Sequence, residues 1–140
     1  MGVNITGKDI KLDVGKAHLI LWDLAGQVKF QYIRRQLYLG AKAVLLIFDL
    51  TRPKTFESIR NWLKDVMSNL RAKTEPIAIL CGNKVDLKEE RAIPTEEGQN
   101  LARKINAINY IETSAKLGEN IEAAFSTLVF QILRSQGLKI

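Results

Sequence analysis

Two short apolar runs, residues 43–48 and 77–81, limit the possible folds of this chain more than any other part of the sequence. Each run is followed by polar residues and then by a helical pattern. Runs of this length, bounded by polar loops, are typical of strands buried on both faces of a parallel sheet. After the first run, apolar side chains recur at the spacing of one helix face, at Phe56, Ile59, Leu63, Val66, Met67 and Leu70. Strands that alternate with helices predict an α/β fold with a mostly parallel sheet, whose ligands bind at the carboxyl ends of its strands.

The chain enters this sheet through a predicted β-hairpin. Apolar and polar residues alternate over residues 10–12 and again over 17–21, and residues 13–16 have the composition of a turn. Residues 28–40 have a mixed pattern that predicts partly helical structure.

The second half of the chain repeats the alternation of helix and strand. A helix is expected to begin after Pro94, because proline and acidic residues such as Glu96 favour a helix N-terminus. Residues 110–111 predict a short strand, and Asn120 stands near the start of a final helix. The apolar stripe of that helix is Ile121, Ala124, Phe125, Leu128, Val129, Ile132 and Leu133.

Composition fits a single domain over residues 1–140, with 46% hydrophobic and 26% charged residues. No apolar run approaches the ~18 residues of a membrane-spanning helix, and no secretory signal is evident, so the sequence predicts a cytoplasmic protein. Cys81 is the only cysteine, so no disulfide can form within the chain. We interpret this residue as a small buried hydrophobe. Residues 134–140 contain no cysteine for prenylation, so no lipid anchor is evident.

The net charge of +6 raises the question of a nucleic-acid or membrane partner. The basic residues are spread singly over helical segments, and no RNA-binding signature with interleaved aromatic residues occurs. We therefore interpret the charge as a solvated surface and expect no nucleic-acid partner.

Three polar loop sequences follow predicted strands, where this architecture binds ligands. They are DLAGQ at residues 23–27, NKVD at 83–86 and TSAK at 113–116. Taken singly, each has an ordinary structural interpretation: a strand-to-helix turn, a plain polar loop and a helix cap. All three in order, each at the end of a predicted strand, favour one shared nucleotide site.

These motifs resemble the Ras superfamily of small GTPases, most closely its Rab/Ras branch, whose DxxGQ, NKxD and SAK motifs occur in the same order. Supporting stretches are also similar, namely residues 40–41, 47–51 and 55–58. The resemblance covers nearly the whole chain. It implies a Ras-like fold of the P-loop NTPase class, with a mostly parallel sheet flanked by helices.

The resemblance assigns guanine recognition to the second and third loops. Asp86 corresponds to the carboxylate that accepts both guanine N1–H and the 2-amino group, a donor pair that adenine lacks. Backbone N–H groups of Ser114 and Ala115 are expected to donate to guanine O6.

Three further residues of these loops complete the implied base site. Lys84 and Lys116 are expected to lay their aliphatic stems along the two faces of the base, and Asn83 to tie the loops together. Such matched polar groups would reject the wrong base by ~10⁴-fold, because a mismatch leaves a buried group unpaired.

At the phosphate end, the resemblance implies that Asp23 holds Mg²⁺ through a water and that the Gly26 N–H meets the γ-phosphate. Gln27 corresponds to the glutamine that orients the attacking water, so the implied activity is hydrolysis of GTP to GDP. Effector or regulator proteins would bind this switch II region. Leu24 and Val28 replace the threonine and glutamate common in Rab sequences, which argues against typical Rab regulators.

The phosphate-binding loop of the family, with the first strand, first helix and switch I around it, has no counterpart here. Residues 2–9 satisfy GxxxxGK, yet Asp9 stands where a hydroxyl should ligate Mg²⁺ and the pattern continues as a strand. We therefore expect an N-terminally incomplete domain.

Two consequences are expected from the missing loop and strand. Losing about five phosphate contacts at ~1.5 kcal/mol each would weaken nucleotide binding by ~7 kcal/mol. Open sheet edges would favour self-association. The alternative to a GTPase is a nucleotide-independent pseudo-GTPase or interaction module.

Overall fold

The computed structural model describes residues 3–12, 15–24, 43–69, 77–135 and 137. Its elements, in chain order, are β1 (Val3–Leu12), β2 (Gly15–Leu24), β3 (Ala43–Asp49), α1 (Pro53–Asn69), β4 (Ile77–Asn83), α2 (Thr95–Lys104), β5 (Asn109–Thr113) and α3 (Ile121–Ser135). Among these described helices, none has both the length and the apolar character needed to cross a membrane. The predicted structure of residues 28–40 lies outside the described residues.

The expected β-hairpin is present and longer than the sequence pattern indicated. β1 and β2 pair antiparallel from Val3 opposite Leu24 to Leu12 opposite Gly15. The expectation of a turn over residues 13–16 was wrong in part, because Gly15 and Lys16 already belong to β2. The GxxxxGK pattern at residues 2–9 lies in β1 from Val3 onward, so it is a paired strand and cannot serve as a phosphate loop opening a helix.

A parallel three-stranded sheet of order β3-β4-β5 forms the centre of the described structure and confirms the predicted α/β fold. The register places Asp49 opposite Asn83, and Asn83 opposite Thr113. These three residues each end a strand, so they stand in a row along the carboxyl edge of the sheet. Within the described residues, the hairpin forms a separate sheet and does not pair with β3.

Helices cover the parallel sheet through apolar side chains of the predicted stripes. In α1 these are Phe56 and Ile59, while the side chains of Leu63, Val66, Met67 and Leu70 lie outside the described residues. In β3, Leu46 and Phe48 are buried, and Phe48 meets Phe56 of α1 edge to face at 4.9 Å between ring centroids. Ile59 of α1 is buried in the same cluster. Each such side chain contributes about 1.5 to 3 kcal/mol when it is removed from water. The burial explains why α1 lies where its apolar face meets the sheet.

The final helix, α3, lies against β4 and also touches β1 of the hairpin. Its buried residues are Ala124, Leu128 and Val129, all members of the predicted stripe. Asn120 precedes the helix as expected, but it has a positive φ of 61° and its side-chain amide donates to Glu112 O at 2.8 Å. That bond ties the helix start to β5 rather than capping the helix.

A close approach between α2 and β5 requires glycine at position 98. The Tyr110 ring of β5 lies directly over Gly98 of α2, and a Cβ atom at that position would overlap the ring. The ring also stacks at 6.2 Å on Phe48. α2 is thereby fixed against the strand that leads into the third loop motif.

Candidate functional site

The candidate site lies where β4 and β5 end side by side. Both strands are parallel and adjacent, so the loops that follow them, residues 83–86 and 113–116, leave the same edge of the sheet. The apolar side chains of β4 fix this position, because Ile79, Leu80 and Cys81 are all buried between the helix layers. The fold therefore brings together two of the three sequence motifs.

The side chain of Asn83 joins the two loops directly. Its Oδ1 atom accepts hydrogen bonds from the Ala115 N–H and from Thr113 Oγ1, each at 3.1 Å. The Val85 N–H donates to Thr113 O at 3.0 Å. These hydrogen bonds hold the NKVD and TSAK loops in one fixed arrangement, in agreement with the linking role expected of Asn83.

The buried side chain of Thr113 supports this junction, a role that the sequence did not reveal. It is 2% exposed, and its hydroxyl lies 3.1 Å from Cys81 Sγ as well as 3.1 Å from Asn83 Oδ1. Burial raises the pKa of the Cys81 thiol above its usual value, with the Thr113 hydrogen bond opposing the shift. Cys81 is thus a neutral buried residue, as the sequence predicted.

The backbone amides of Ser114 and Ala115 differ in accessibility. Ser114 is fully buried, and its N–H and C=O both bond to Glu119 at 3.0 Å. Its hydroxyl accepts the Leu117 N–H at 3.1 Å and closes the turn of the loop. Ala115 is exposed, and among the described residues its N–H bonds only to the Asn83 side chain. Both amides expected to meet guanine O6 therefore already have an acceptor within the protein.

Asp86 and Lys116 carry the groups of the site that remain available. Asp86 is partly exposed and Lys116 is exposed. Within the described part of the chain, neither side chain makes a hydrogen bond or an ion pair. Asp86 is the last residue of the NKVD loop and follows Val85, whose N–H bonds to Thr113, the first residue of the TSAK loop.

Lys84 is held by an aspartate from the neighbouring strand. Its backbone is left-handed, with φ of 71°, and its Nζ lies 2.9 Å from Asp49 Oδ2. Asp49 Oδ1 accepts from Thr51 N at 2.8 Å and Thr51 Oγ1 at 2.6 Å, so these two residues shape the turn before α1. Burial alone would raise the pKa of Asp49, but the hydrogen bonds from Thr51 and Lys84 hold it below its usual value.

A polar cluster behind the site fixes the end of β5. Both carboxylate oxygens of Glu112 accept from Arg91, and Tyr110 and Thr95 donate to the same carboxylate. Burial favours the neutral acid, yet these hydrogen bonds lower the pKa of Glu112 below its usual value. Burial and the neighbouring carboxylate raise the pKa of Tyr110. The cluster keeps the residue before Thr113 in place.

The residues expected at the phosphate end are Asp23, Gly26 and Gln27. The described part of the structure does not show them close to these two loops. Asp23 lies near the carboxyl end of β2, opposite Asn4 in the hairpin, and its side chain is outside the described atoms. Gly26 and Gln27 lie outside the described residues. Over the described ranges, no group of three or more His, Cys, Asp or Glu side chains could hold a metal ion.

Comparison with known proteins gives a consistent result. A sequence model described as the Ras family matches residues 1–134. Ras-related protein Rab-13 of Bos taurus is 41% identical over 135 residues, which cover 96% of this chain and 62% of that protein. Ras-related protein Rab-10 of Diplobatis ommata is 37% identical over 139 residues, covering 99% of this chain and 68% of that protein.

The chain thus spans less than two thirds of the length of the Rab-13 relative that it matches. The family match nevertheless covers most of the chain and agrees with the parallel sheet and the ordered loop motifs. The chain belongs to the Ras superfamily of small GTPases and is Rab-like within it.

Proposed function

We propose that this chain binds a guanine nucleotide between the loops at residues 83–86 and 113–116, as the base-recognising part of a GTP-dependent switch. The observation that carries the proposal is the junction of these loops by Asn83 Oδ1, which accepts from Ala115 N at 3.1 Å. The same NKVD loop carries the Asp86 carboxylate, which has no hydrogen-bond or ion-pair partner within the described residues. A site of this kind is fixed in shape and has an acceptor to spare.

Asp86 provides the base selectivity in this proposal. Guanine presents two adjacent donors, N1–H and the 2-amino group, and an ionised carboxylate accepts both. Adenine presents an acceptor at N1 and no 2-amino group, so it would leave the Asp86 carboxylate unpaired in the pocket. Such a mismatch is worth about 10⁴-fold in discrimination at a well-matched site.

Ala115 is the better of the two proposed donors to guanine O6. The N–H of this exposed residue donates to Asn83 Oδ1. One N–H hydrogen can be shared between two acceptors, and guanine O6 is proposed as the second. The Ser114 N–H lies in a buried two-bond bridge with Glu119 and would have to break it. We therefore assign O6 recognition to Ala115, and loop support to Ser114.

Lys84 and Lys116 are proposed to flank the base with their aliphatic stems. Lys84 is about half exposed while its ammonium is paired with Asp49, which leaves the stem available to a planar ligand. Lys116 is exposed in the opposite loop. The two side chains therefore come from the two loops that Asn83 joins.

The phosphate end of the proposal is supported by family membership and by the DxxGQ motif at residues 23–27. Asp23 would hold Mg²⁺ through a water, since a carboxylate oxygen suits this hard cation. When bound, the ion neutralises charge on the phosphates. Gly26 would offer its N–H to the γ-phosphate and Gln27 would orient water for hydrolysis of GTP to GDP. Effectors and regulators are proposed to bind the switch II region that contains these residues.

A second candidate is a nucleotide-independent interaction module that binds a partner, or another copy of itself, along an open sheet edge. The observation that favours it is the outer edge of β3, which has no partner strand among the described residues. Ile47 on this strand is 56% exposed. Open edges of this kind promote pairing with other chains.

Titration of the full chain with fluorescently labelled GDP in Mg²⁺ separates the two candidates. The GTPase proposal requires saturable binding that unlabelled GDP competes away and that ADP does not, at concentrations up to about 100-fold higher. An absence of saturable binding, together with concentration-dependent association in light scattering, would favour the interaction module.

A further inference from the structure

The loop after β3 approaches the proposed guanine site closely, although none of its residues belongs to the three motifs. Asp49 ends β3 directly opposite Asn83, the first residue of the NKVD loop. The next residue, Leu50, donates its N–H to Asn83 O at 3.0 Å. The side chain of Asp49 thereby stands at the same edge of the sheet as Lys84.

Hydrogen bonds other than the contact with Lys84 hold the Asp49 carboxylate in place. Its Oδ1 atom accepts hydrogen bonds from the backbone N–H and the hydroxyl of Thr51. The backbone N–H of Asp49 donates to Thr55 Oγ1 at 2.8 Å. The side chain is 13% exposed. These bonds leave Oδ2 as a preorganised acceptor, and Lys84 Nζ occupies it at 2.9 Å.

Lys84 has most to gain from such an acceptor. A free lysine side chain samples many rotamers, and fixing it in one conformation costs conformational entropy. With Asp49 in place, this ordering is complete before a base arrives. Lys116, on the other loop, has no ion-pair partner among the described residues.

We propose that Asp49 is a positioning residue that holds the Lys84 stem in the base-flanking conformation, so that the loop after β3 sets part of the guanine-nucleotide affinity. The inference rests on the proposed function, because it concerns the same site. It extends that site to a third strand end, beside those of β4 and β5.

The test is a double-mutant cycle on the full chain, read as the Kd for fluorescently labelled GDP. Asp49→Asn keeps an oxygen for Thr51 but removes the charge opposite Lys84, and Lys84→Met keeps an unbranched stem without the ammonium. We expect Asp49→Asn to weaken binding about fivefold in the wild-type background and by less than about 1.5-fold in the Lys84→Met background. Glu57→Gln is the matched control, because it makes the same carboxylate-to-amide change at an exposed residue of α1 that has no ion pair among the described residues. It should change Kd by less than about twofold.

Additive effects of Asp49→Asn and Lys84→Met, with GDP bound normally by the wild type, would overturn the inference and leave the proposed function standing. A wild type that does not bind GDP would overturn both. Denaturant unfolding of each variant shows whether it is folded. If Asp49→Asn does not fold, the rate of amine acylation in the unliganded wild type decides the matter: Lys84 should react several-fold more slowly than Lys116, and equal rates would refute the pairing.

Discussion

Replacing Asn83 with alanine removes the side chain that joins the NKVD and TSAK loops. Its Oδ1 atom accepts from Ala115 N and from Thr113 Oγ1, both at 3.1 Å. Each hydrogen bond contributes about 1 kcal/mol net, and a buried donor that loses its acceptor costs about 1 kcal/mol more. Thr113 is 2% exposed, but its hydroxyl keeps Cys81 Sγ as a neighbour at 3.1 Å, which offsets part of that cost. We expect Asn83→Ala to lower the free energy of unfolding by about 2 to 3 kcal/mol.

The measurement is equilibrium unfolding in guanidinium chloride, followed by far-ultraviolet circular dichroism. Asn83→Asp is the matched control, because a carboxylate of the same size accepts the same two hydrogen bonds and should cost less than about 1 kcal/mol. Hydrogen exchange locates the effect, since the Ala115 amide should exchange faster in Asn83→Ala and remain protected in Asn83→Asp. An alanine variant within about 0.5 kcal/mol of the wild type, with unchanged exchange at Ala115, would contradict the linking role of Asn83 Oδ1.

Two further variants test the packing and charge behind the site. Gly98→Ala places a Cβ inside the Tyr110 ring, so we expect a loss of about 1 to 3 kcal/mol in unfolding free energy despite the better helix propensity of alanine; equal stability would contradict the close approach. Glu112→Gln removes the charge that Arg91 pairs with and should cost about 1 to 2 kcal/mol at pH 7. Because the folded-state pKa of Glu112 is depressed, this contribution is fully present above the usual pKa of 4.5 and is lost as pH falls through the folded-state pKa. Unfolding free energies measured from pH 7 to pH 3 should therefore converge for wild type and Glu112→Gln, and a constant gap would contradict the assignment.

The fold was largely predictable because buried parallel strands and amphipathic helices leave strong patterns in sequence. The apolar run at residues 43–48 became β3, and the stripe of α3 buried Ala124, Leu128 and Val129. The hairpin turn was placed less well. Alternation does not mark where pairing ends, so the sequence did not show that Gly15 and Lys16 belong to β2.

The candidate site was predictable only for the residues that belong to recognisable motifs. The loops containing Asn83 and Ala115 were found in the sequence, and the structure joins them. The pairing of Asp49 with Lys84 depends on which strands are neighbours and on their register, and neither is written in a local pattern. Ser114 and Ala115 also differ in burial and in the hydrogen-bond partners of their amides. The sequence does not reveal this difference, because both are small residues in adjacent positions.

The proposed guanine site depends above all on Asp86, and the base preference of a variant at this residue is its most decisive test. Xanthine carries a carbonyl oxygen where guanine carries the 2-amino group, so an asparagine amide would supply the donor that xanthine requires. Kd values for GDP and xanthosine diphosphate, measured on wild type and Asp86→Asn, should show a preference for GDP in the wild type. In the variant, GDP affinity should fall at least about 100-fold and the preference should reverse. A variant that binds GDP as the wild type does would contradict a purine pocket built around Asp86.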